Sequence, residues 1–272
     1  MKVLLVNGSP HEKGCTYTAL KEVESSLNKN GIETEIFWIG NKPVSGCIGC
    51  GNCLKTGKCF IKDKVNEFLE KVPNTDGFIF GTPVHFAASS GMLSSFMDRV
   101  FYGRRNLFSN KPACGIASCR RGGATATLDE INKYFGISNM PIVSSQYWNM
   151  VHGTNPEEVK KDEEGMQTMR TLGNNMAWLL KSIEAGEKAG IEKPKNETII
   201  STNFIRWYFV LHVLCLFASK IALESLSKMC WYYKNFIFWK SWRINIKISL
   251  FFKIIRYIII KIGRNEIGNE II

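Results

Sequence analysis

The chain has 272 residues, of which 45% are hydrophobic and 22% are charged. These fractions are typical of globular proteins, so they exclude a disordered chain and a fibrous repeat. The length exceeds the roughly 100–200 residues of a common single domain, and we therefore expect one large domain with an appendage. The formal net charge of +11 favours an anionic partner, although the charge is unevenly distributed along the chain.

Residues 207–272 differ in composition from the rest of the chain. They contain 10 Lys and Arg against 3 Asp and Glu, and 14 of the 32 aromatic residues, whereas residues 1–206 have a net charge of only +4. The composition predicts a domain at 1–206 and a basic, aromatic extension at 207–272. The apolar runs of this extension are shorter than the roughly 20 residues of a membrane-spanning helix. One interpretation of this extension is a segment that binds to a membrane surface. The interpretation that we prefer is non-native read-through, in which AT-rich DNA beyond a lost stop codon or a frameshift is translated.

Short apolar runs alternate with segments of helical period along residues 1–206. The predicted strands are 2–7, 33–39, 76–82, 113–118 and 141–145. The predicted helices are 16–30, 65–72, 91–101, 125–135 and 158–185. This alternation predicts an α/β fold, a doubly wound five-stranded parallel sheet with helices on both faces. Ligands of such sheets bind beyond the carboxyl ends of the strands, so the loops after the first, third and fourth strands are candidate sites.

The loop after the first predicted strand leads directly into a helix. It spans residues 8–18 and carries the hydroxyl groups of Ser9, Thr16 and Thr18. Unpaired N–H groups and the positive dipole end of a helix N-terminus bind phosphate, so the loop is a candidate phosphate site. It is neither a Walker A loop nor a GxGxxG fingerprint. A capped helix that follows a glycine turn is an equally weighted interpretation.

The loops after the third and fourth strands contain small residues, an aromatic residue and two arginines. Backbone amides around His85 and Phe86 could hold the edge of a flat ring, although His85 could equally be a packed structural residue. Arg120 and Arg121 follow Ser118 in the next loop. Their guanidinium groups could bind phosphate or stabilise an electron-rich ring, and the alternative is a solvated loop.

Four cysteines lie within thirteen residues, with the spacing C-x2-C-x2-C-x5-C. They are Cys47, Cys50, Cys53 and Cys59. No secretory signal is evident before them, so we expect a cytoplasmic protein with reduced thiols. Four thiolates separated by glycines could fold around a [4Fe–4S] cluster. Zinc bound by four cysteines, or no metal at all, are the alternatives.

The loops together resemble the flavodoxin-like NAD(P)H-dependent FMN reductase family, and the cysteines resemble its iron–sulfur flavoprotein branch. The motifs that carry the resemblance are Gly8-Ser9-Pro10 with Thr16, Gly81-Thr82-Pro83-Val84, Phe96-Met97-Asp98-Arg99, Ser118-Cys119-Arg120-Arg121-Gly122 and Thr202-Asn203-Phe204-Ile205-Arg206. The resemblance implies a bound FMN. The residues it places around the FMN phosphate are Ser9, Thr16, Tyr17 and Thr18. The residues it places around the isoalloxazine ring are Pro83, Val84, His85, Phe86, Ser118, Arg120, Arg121 and Gly122.

The resemblance also implies an oxidoreductase. NAD(P)H would be the co-substrate, and electrons would pass through FMN to a quinone, a flavin or an iron–sulfur centre. An electron carrier without turnover of a small substrate is the alternative. The expected partners are a small-molecule acceptor or a redox protein, and a second copy of the chain in a homo-oligomer. We predict no catalytic acid or base, and no nucleic-acid partner, because the sequence contains no motif for either.

Overall fold

A five-stranded, all-parallel sheet forms the centre of the computed structural model, which describes residues 1–195, 197–198 and 200–202. The strands are β1 (Lys2–Asn7), β2 (Glu33–Trp38), β3 (Gly77–Pro83), β4 (Ala113–Cys119) and β5 (Met150–His152). Their order in the sheet is β2-β1-β3-β4-β5. This order is that of the flavodoxin-like doubly wound fold, so the predicted fold class is confirmed. The extension predicted at 207–272 lies outside the described residues.

Seven α-helices accompany the sheet within the described residues. They are α1 (Cys15–Lys29), α2 (Asn52–Thr56), α3 (Lys64–Lys71), α4 (Gly91–Arg104), α5 (Ala124–Ile137), α6 (Pro156–Lys161) and α7 (Glu163–Lys188). The single helix predicted at 158–185 is wrong, because two helices meet at Asp162. This residue has ψ of 81°, outside the helical range, and its carboxylate accepts a hydrogen bond from Gly165 N at the start of α7. The short α2 was not predicted.

The two larger apolar cores of the described residues lie on opposite faces of the sheet. Alternate residues of β1 point to opposite faces, so Leu4 packs with α3 and α4, while Leu5 packs with α1 and α7. The first core is dominated by buried phenylalanines. They are Phe37, Phe68, Phe78, Phe80, Phe96, Phe101, Phe108 and Phe135. Among the described residues, we find no helix that is both long and apolar enough to cross a membrane.

The fifth strand does not lie where the apolar run predicted it. The prediction of 141–145 is wrong, because Ile142 makes only one isolated bridge to Ala113. The chain then leaves the sheet and returns at Met150, which pairs with Ala117. Between these two pairings β4 advances by four residues, from Ala113 to Ala117, whereas the edge segment advances by eight, from Ile142 to Met150. Ser145 Oγ closes this outward loop with a hydrogen bond of 2.8 Å to Asn149 Oδ1.

Replacement of Phe68 by alanine should destabilise the domain strongly. The Phe68 ring is buried and packs against five other phenylalanine rings. The cavity should lower the free energy of unfolding by about 3–5 kcal/mol. Phe86→Ala is the matched control, because the Phe86 side chain is exposed and its loss should change that free energy by less than about 0.5 kcal/mol. Urea unfolding of the full chain measures both, and equal values would contradict the described core.

Candidate functional site

The loops after β1 and β3 meet at the carboxyl edge of the sheet through direct backbone contact. Gly8 N donates a hydrogen bond of 2.8 Å to Gly81 O, and Ser90 Oγ donates one of 2.8 Å to Gly8 O. A Cβ atom on Gly8 would lie 2.8 Å from Gly81 O and 2.9 Å from Leu93 Cβ. Only glycine permits this approach, so Gly8 fixes the position at which the first loop leaves the sheet.

The first turn of α1 has no side-chain cap. Its N-cap is Gly14, and its first turn contains no acidic residue. Side chains cap α3, α4, α6 and α7, whereas α2 and α5 begin, like α1, at an uncapped glycine. The N–H groups at the start of α1 therefore face the carboxyl edge without a carboxylate or hydroxyl of this chain to bind them. They are suited to bind an external anion.

Two residues that the sequence analysis did not identify shape this loop. Asn7 is fully buried at the end of β1, where its Oδ1 accepts from Ser9 N at 3.1 Å and its Nδ2 donates to Glu12 O at 2.9 Å. Trp38, at the end of β2, donates from Nε1 to Ser9 O at 2.8 Å. Asn7 follows an apolar strand directly, and a polar residue at that position is a usable signal. Nothing in the sequence pairs Trp38 with the loop.

The residues predicted to surround the phosphate lie close together in the structure. Several of their hydroxyl groups, however, already form hydrogen bonds with other groups of the protein. Ser9 is buried, and its Oγ accepts from His11 N at 3.1 Å. Thr16 is also buried, and its hydroxyl is 2.8 Å from that of Ser118, which belongs to β4. Thr18 Oγ1 donates to Gly14 O at 3.1 Å, one turn back along the chain. Tyr17, by contrast, is partly exposed.

The loop after β3 forms a tight hairpin turn with a strained backbone. Two hydrogen bonds of 2.9 and 3.0 Å join His85 and Ala88, and the two residues between them have positive φ angles, 52° at Phe86 and 58° at Ala87. Such angles cost about 1–3 kcal/mol at non-glycine residues and are often found at functional sites. The Phe86 side chain is completely exposed, and His85 is exposed as well. The alternative interpretation of His85 as a packed structural residue is therefore wrong.

The loop after β4 packs against this hairpin. Val84 N donates to Ser118 O at 2.9 Å. Gly123 has a φ of +91°, and a Cβ atom there would lie 2.8 Å from Ala87 Cα and 3.0 Å from Val84 Cγ1. Arg120, Arg121 and Gly122 are exposed, while Pro83 and Val84 are partly buried. The predicted ring-binding residues therefore lie on two loops that touch each other.

Two further thiols lie near this edge. The Cys15 thiol donates a hydrogen bond of 3.8 Å to Gly153 O. Cys119 is buried at the end of β4. Burial raises the pKa of both thiols. Both are therefore protonated at neutral pH, which disfavours a nucleophilic role for either.

The four clustered cysteines line one recess beside α4. The other residues that line it are Ile48, Gly51, Phe60, Ile61, Arg99 and Tyr102. Cys47 and Cys50 are exposed, while Cys53 and Cys59 are partly buried, and all four are free thiols. Their number and chemistry match a cluster with four thiolate ligands. Within the part of the chain that the structure describes, however, no three His, Cys, Asp or Glu side chains are arranged to hold a metal ion.

Replacement of Gly123 by alanine should destabilise the packing of the two loops. The positive φ angle and the contact with Ala87 should together lower the free energy of unfolding by about 1–3 kcal/mol. Gly122→Ala is the matched control, because a Cβ atom at Gly122 meets no heavy atom within 4 Å. Thermal and urea unfolding measure the difference. Equal stability of the two variants would show that Gly123 is not a constrained position.

Comparisons with known proteins agree with this architecture. Residues 1–155 match the family described as NADPH-dependent FMN reductase. An iron–sulfur flavoprotein of Methanocaldococcus jannaschii is 34% identical over 194 residues, which cover 68% of this chain and 100% of that protein. An iron–sulfur flavoprotein of Archaeoglobus fulgidus is 28% identical over 190 residues, which cover 66% of this chain and 97% of that protein.

A solved structure supports the fold. The NAD(P)H:quinone oxidoreductase from Methanothermobacter marburgensis superimposes with a TM-score of 0.51 at 16% identity, over 65% of this chain and 96% of that chain. The family match extends over more than half of the 272 residues, and it includes the three loops at the carboxyl edge and the four cysteines. The chain therefore belongs to the NADPH-dependent FMN reductase family, in its iron–sulfur flavoprotein branch.

Proposed function

We propose that this flavin-dependent oxidoreductase takes electrons from NAD(P)H and passes them through bound FMN to an acceptor. The observation that carries the proposal is the uncapped first turn of α1 at the carboxyl edge of the sheet. The acceptor is a quinone, a free flavin or an iron–sulfur centre. When bound, FMN supplies the exchange between two-electron and one-electron chemistry that such a reaction needs.

The residues at the start of α1 fit a phosphate group. Gly14 contributes no side chain that would occupy the space in front of the helix, and the N–H groups of the first turn carry the positive end of the helix dipole. Asn7 and Trp38 hold the preceding loop in place. Tyr17 and Thr18 would close the phosphate site from the helix, and Ser9 would do so from the loop.

The hairpin after β3 and the loop after β4 fit the edge of a flat ring. Pro83 and Val84 offer a partly buried apolar surface, and the exposed Arg120 and Arg121 place positive charge next to it. Such charge would favour an electron-rich, reduced ring. Thr16 and Ser118 would support the site without contacting the ring, because the hydrogen bond between their hydroxyl groups connects α1 to β4.

The four cysteines are proposed as the ligands of a [4Fe–4S] cluster. The support is their shared recess, their spacing and the two iron–sulfur flavoproteins that resemble the chain. The four thiols would have to come closer together when a cluster is assembled, because no three of the metal-binding side chains in the described residues are arranged to hold a metal ion. The thiols must stay reduced for this, which fits the expected cytoplasmic location.

Anaerobic steady-state assays of the full chain, loaded with FMN, test the proposed reaction. We expect oxidation of NADH or NADPH that depends on both the protein and an added quinone or flavin. If FMN binds but no acceptor supports turnover, the reductase proposal fails and the protein is an electron carrier. Iron and sulfide analysis after reconstitution separately tests the cluster, and protein without bound iron would contradict it.

Replacement of Gly14 by aspartate should weaken FMN binding selectively. An aspartate at the N-cap accepts hydrogen bonds from the first turn of the helix and places a negative charge where the phosphate would lie. We expect FMN affinity to fall at least tenfold, which is about 1.4 kcal/mol, while the affinity for riboflavin, which lacks the phosphate, stays unchanged. Fluorescence titration measures both ligands.

Gly14→Ala is the control for that variant, because it adds a Cβ atom without a charge or a cap. The Cβ atom would lie 3.0 Å from His11 Cβ, so only a small adjustment is needed. If the aspartate and alanine variants bind FMN equally well, the phosphate does not lie at the start of α1.

A further inference from the structure

The backbone of Cys59 is held by a single asparagine side chain. Asn66, on α3, accepts a hydrogen bond from Cys59 N at 2.8 Å and donates one to Cys59 O at 3.0 Å. The same amide donates to Ile61 O at 3.1 Å. Cys59 is therefore fixed in position by the folded domain, although it lies outside any helix or strand.

The sulfur of Cys59 is held by a buried arginine. Arg99, on α4, is only 2% exposed, and its Nε and Nη2 atoms lie 3.3 and 3.2 Å from Cys59 Sγ. Asp63 pairs with the same guanidinium group through two contacts of 2.6 and 2.8 Å. Arg99 donates all of these hydrogen bonds, and the carboxylate of Asp63 compensates the charge of the buried guanidinium group. Because arginine stays protonated in proteins, Arg99 places a cation beside this cysteine.

Arg99 also contacts two backbone carbonyl groups, one before Cys47 and one after Cys59 in the chain, and Nη2 shares its two N–H groups among three acceptors. Nη1 donates to Ser45 O at 3.2 Å, and Nη2 donates to Ile61 O at 3.1 Å. A buried guanidinium group is tolerated only when its N–H groups form hydrogen bonds. All the acceptors of Arg99 belong to residues 45–63, the segment that contains the four cysteines. The exposed Cys47 and Cys50 belong to a glycine-rich stretch of the chain, in which Gly49 and Gly51 have positive φ angles.

We propose that Arg99 is a positioning residue of the proposed cluster site, which holds the Cys59 sulfur in place and raises the reduction potential of a cluster bound there. The inference rests on the cluster in the proposed function. The proposed effect comes from the N–H groups that Arg99 donates to the sulfur, because such hydrogen bonds stabilise the more negative reduced form of a cluster. Asp63 in turn keeps the guanidinium plane directed at the sulfur.

Arg99→Gln is the test variant, and Arg104→Gln is its matched control. Arg104 lies on the same helix, beneath the same segment, and its Nη1 atom is 2.9 Å from the position of a Cβ atom on Gly57. Its Nε atom has no hydrogen-bond partner among the described residues. Both variants remove one positive charge near the cysteines, but only the first removes the hydrogen bonds to sulfur.

The measurement is a redox titration of the reconstituted full chain, followed by electron paramagnetic resonance. We expect Arg99→Gln to reduce the equilibrium constant for one-electron reduction of the cluster at least tenfold, a shift of about 59 mV to more negative potential. Arg104→Gln should shift it much less. Equal shifts in both variants, or no shift in either, would overturn the proposal.

Arg99→Lys replaces the test variant if Arg99→Gln does not fold. Lysine keeps the positive charge, but it cannot pair with Asp63 and with the Cys59 sulfur at the same time. A cluster reduction potential equal to that of the wild type would then overturn the proposal.

Amide hydrogen exchange of the metal-free protein tests the positioning role if the wild type binds no iron. That result would show that the proposed cluster is wrong, but it would leave the role of Arg99 to be tested by itself. Faster exchange at residues 57–63 in Arg99→Gln than in Arg104→Gln supports that role, and equal exchange overturns it.

Discussion

The close approach of two backbone segments at Gly8 and Gly81 is the constraint on which the candidate site depends. Their hydrogen bond of 2.8 Å brings the loop after β1 against β3 and directs the chain into α1 with its first turn facing the carboxyl edge. Ser90 caps α4 and also donates to Gly8 O, so the same glycine positions two helices. A side chain at Gly8 would separate these elements, because its Cβ atom has no space.

Helix α4 connects the two candidate sites within one rigid element. Its N-cap, Ser90, contacts the loop after β1. Arg99 lies nine residues further, roughly 14 Å along the helix axis at 1.5 Å per residue. Gly103, in its last turn, lies against Cys53, and a Cβ atom there would overlap the sulfur. Glycine weakens a helix interior by about 1 kcal/mol relative to alanine. Its presence here is explained by the space that the cysteine needs.

Much of the fold could be predicted from the sequence, because buried parallel strands are continuous apolar runs that alternate with helical segments. The order of the strands in the sheet comes from the structure. The cysteine spacing could also be recognised, since it depends on local sequence alone. The strand predicted at 141–145 failed because its apolar residues leave the sheet after one bridge. The partners of Trp38 and Arg99 could not be predicted, because each joins segments whose proximity exists only in the folded chain. The strained turn at Phe86 carries no glycine that would have revealed it.

Amide chemical shifts of the ¹⁵N-labelled full chain show whether the start of α1 binds the phosphate of FMN. Addition of FMN should move the amide signals of residues 14–17 more than those of any other helix start, and riboflavin should leave them nearly unchanged. FMN that binds without moving these signals, or riboflavin that moves them equally, would contradict the account.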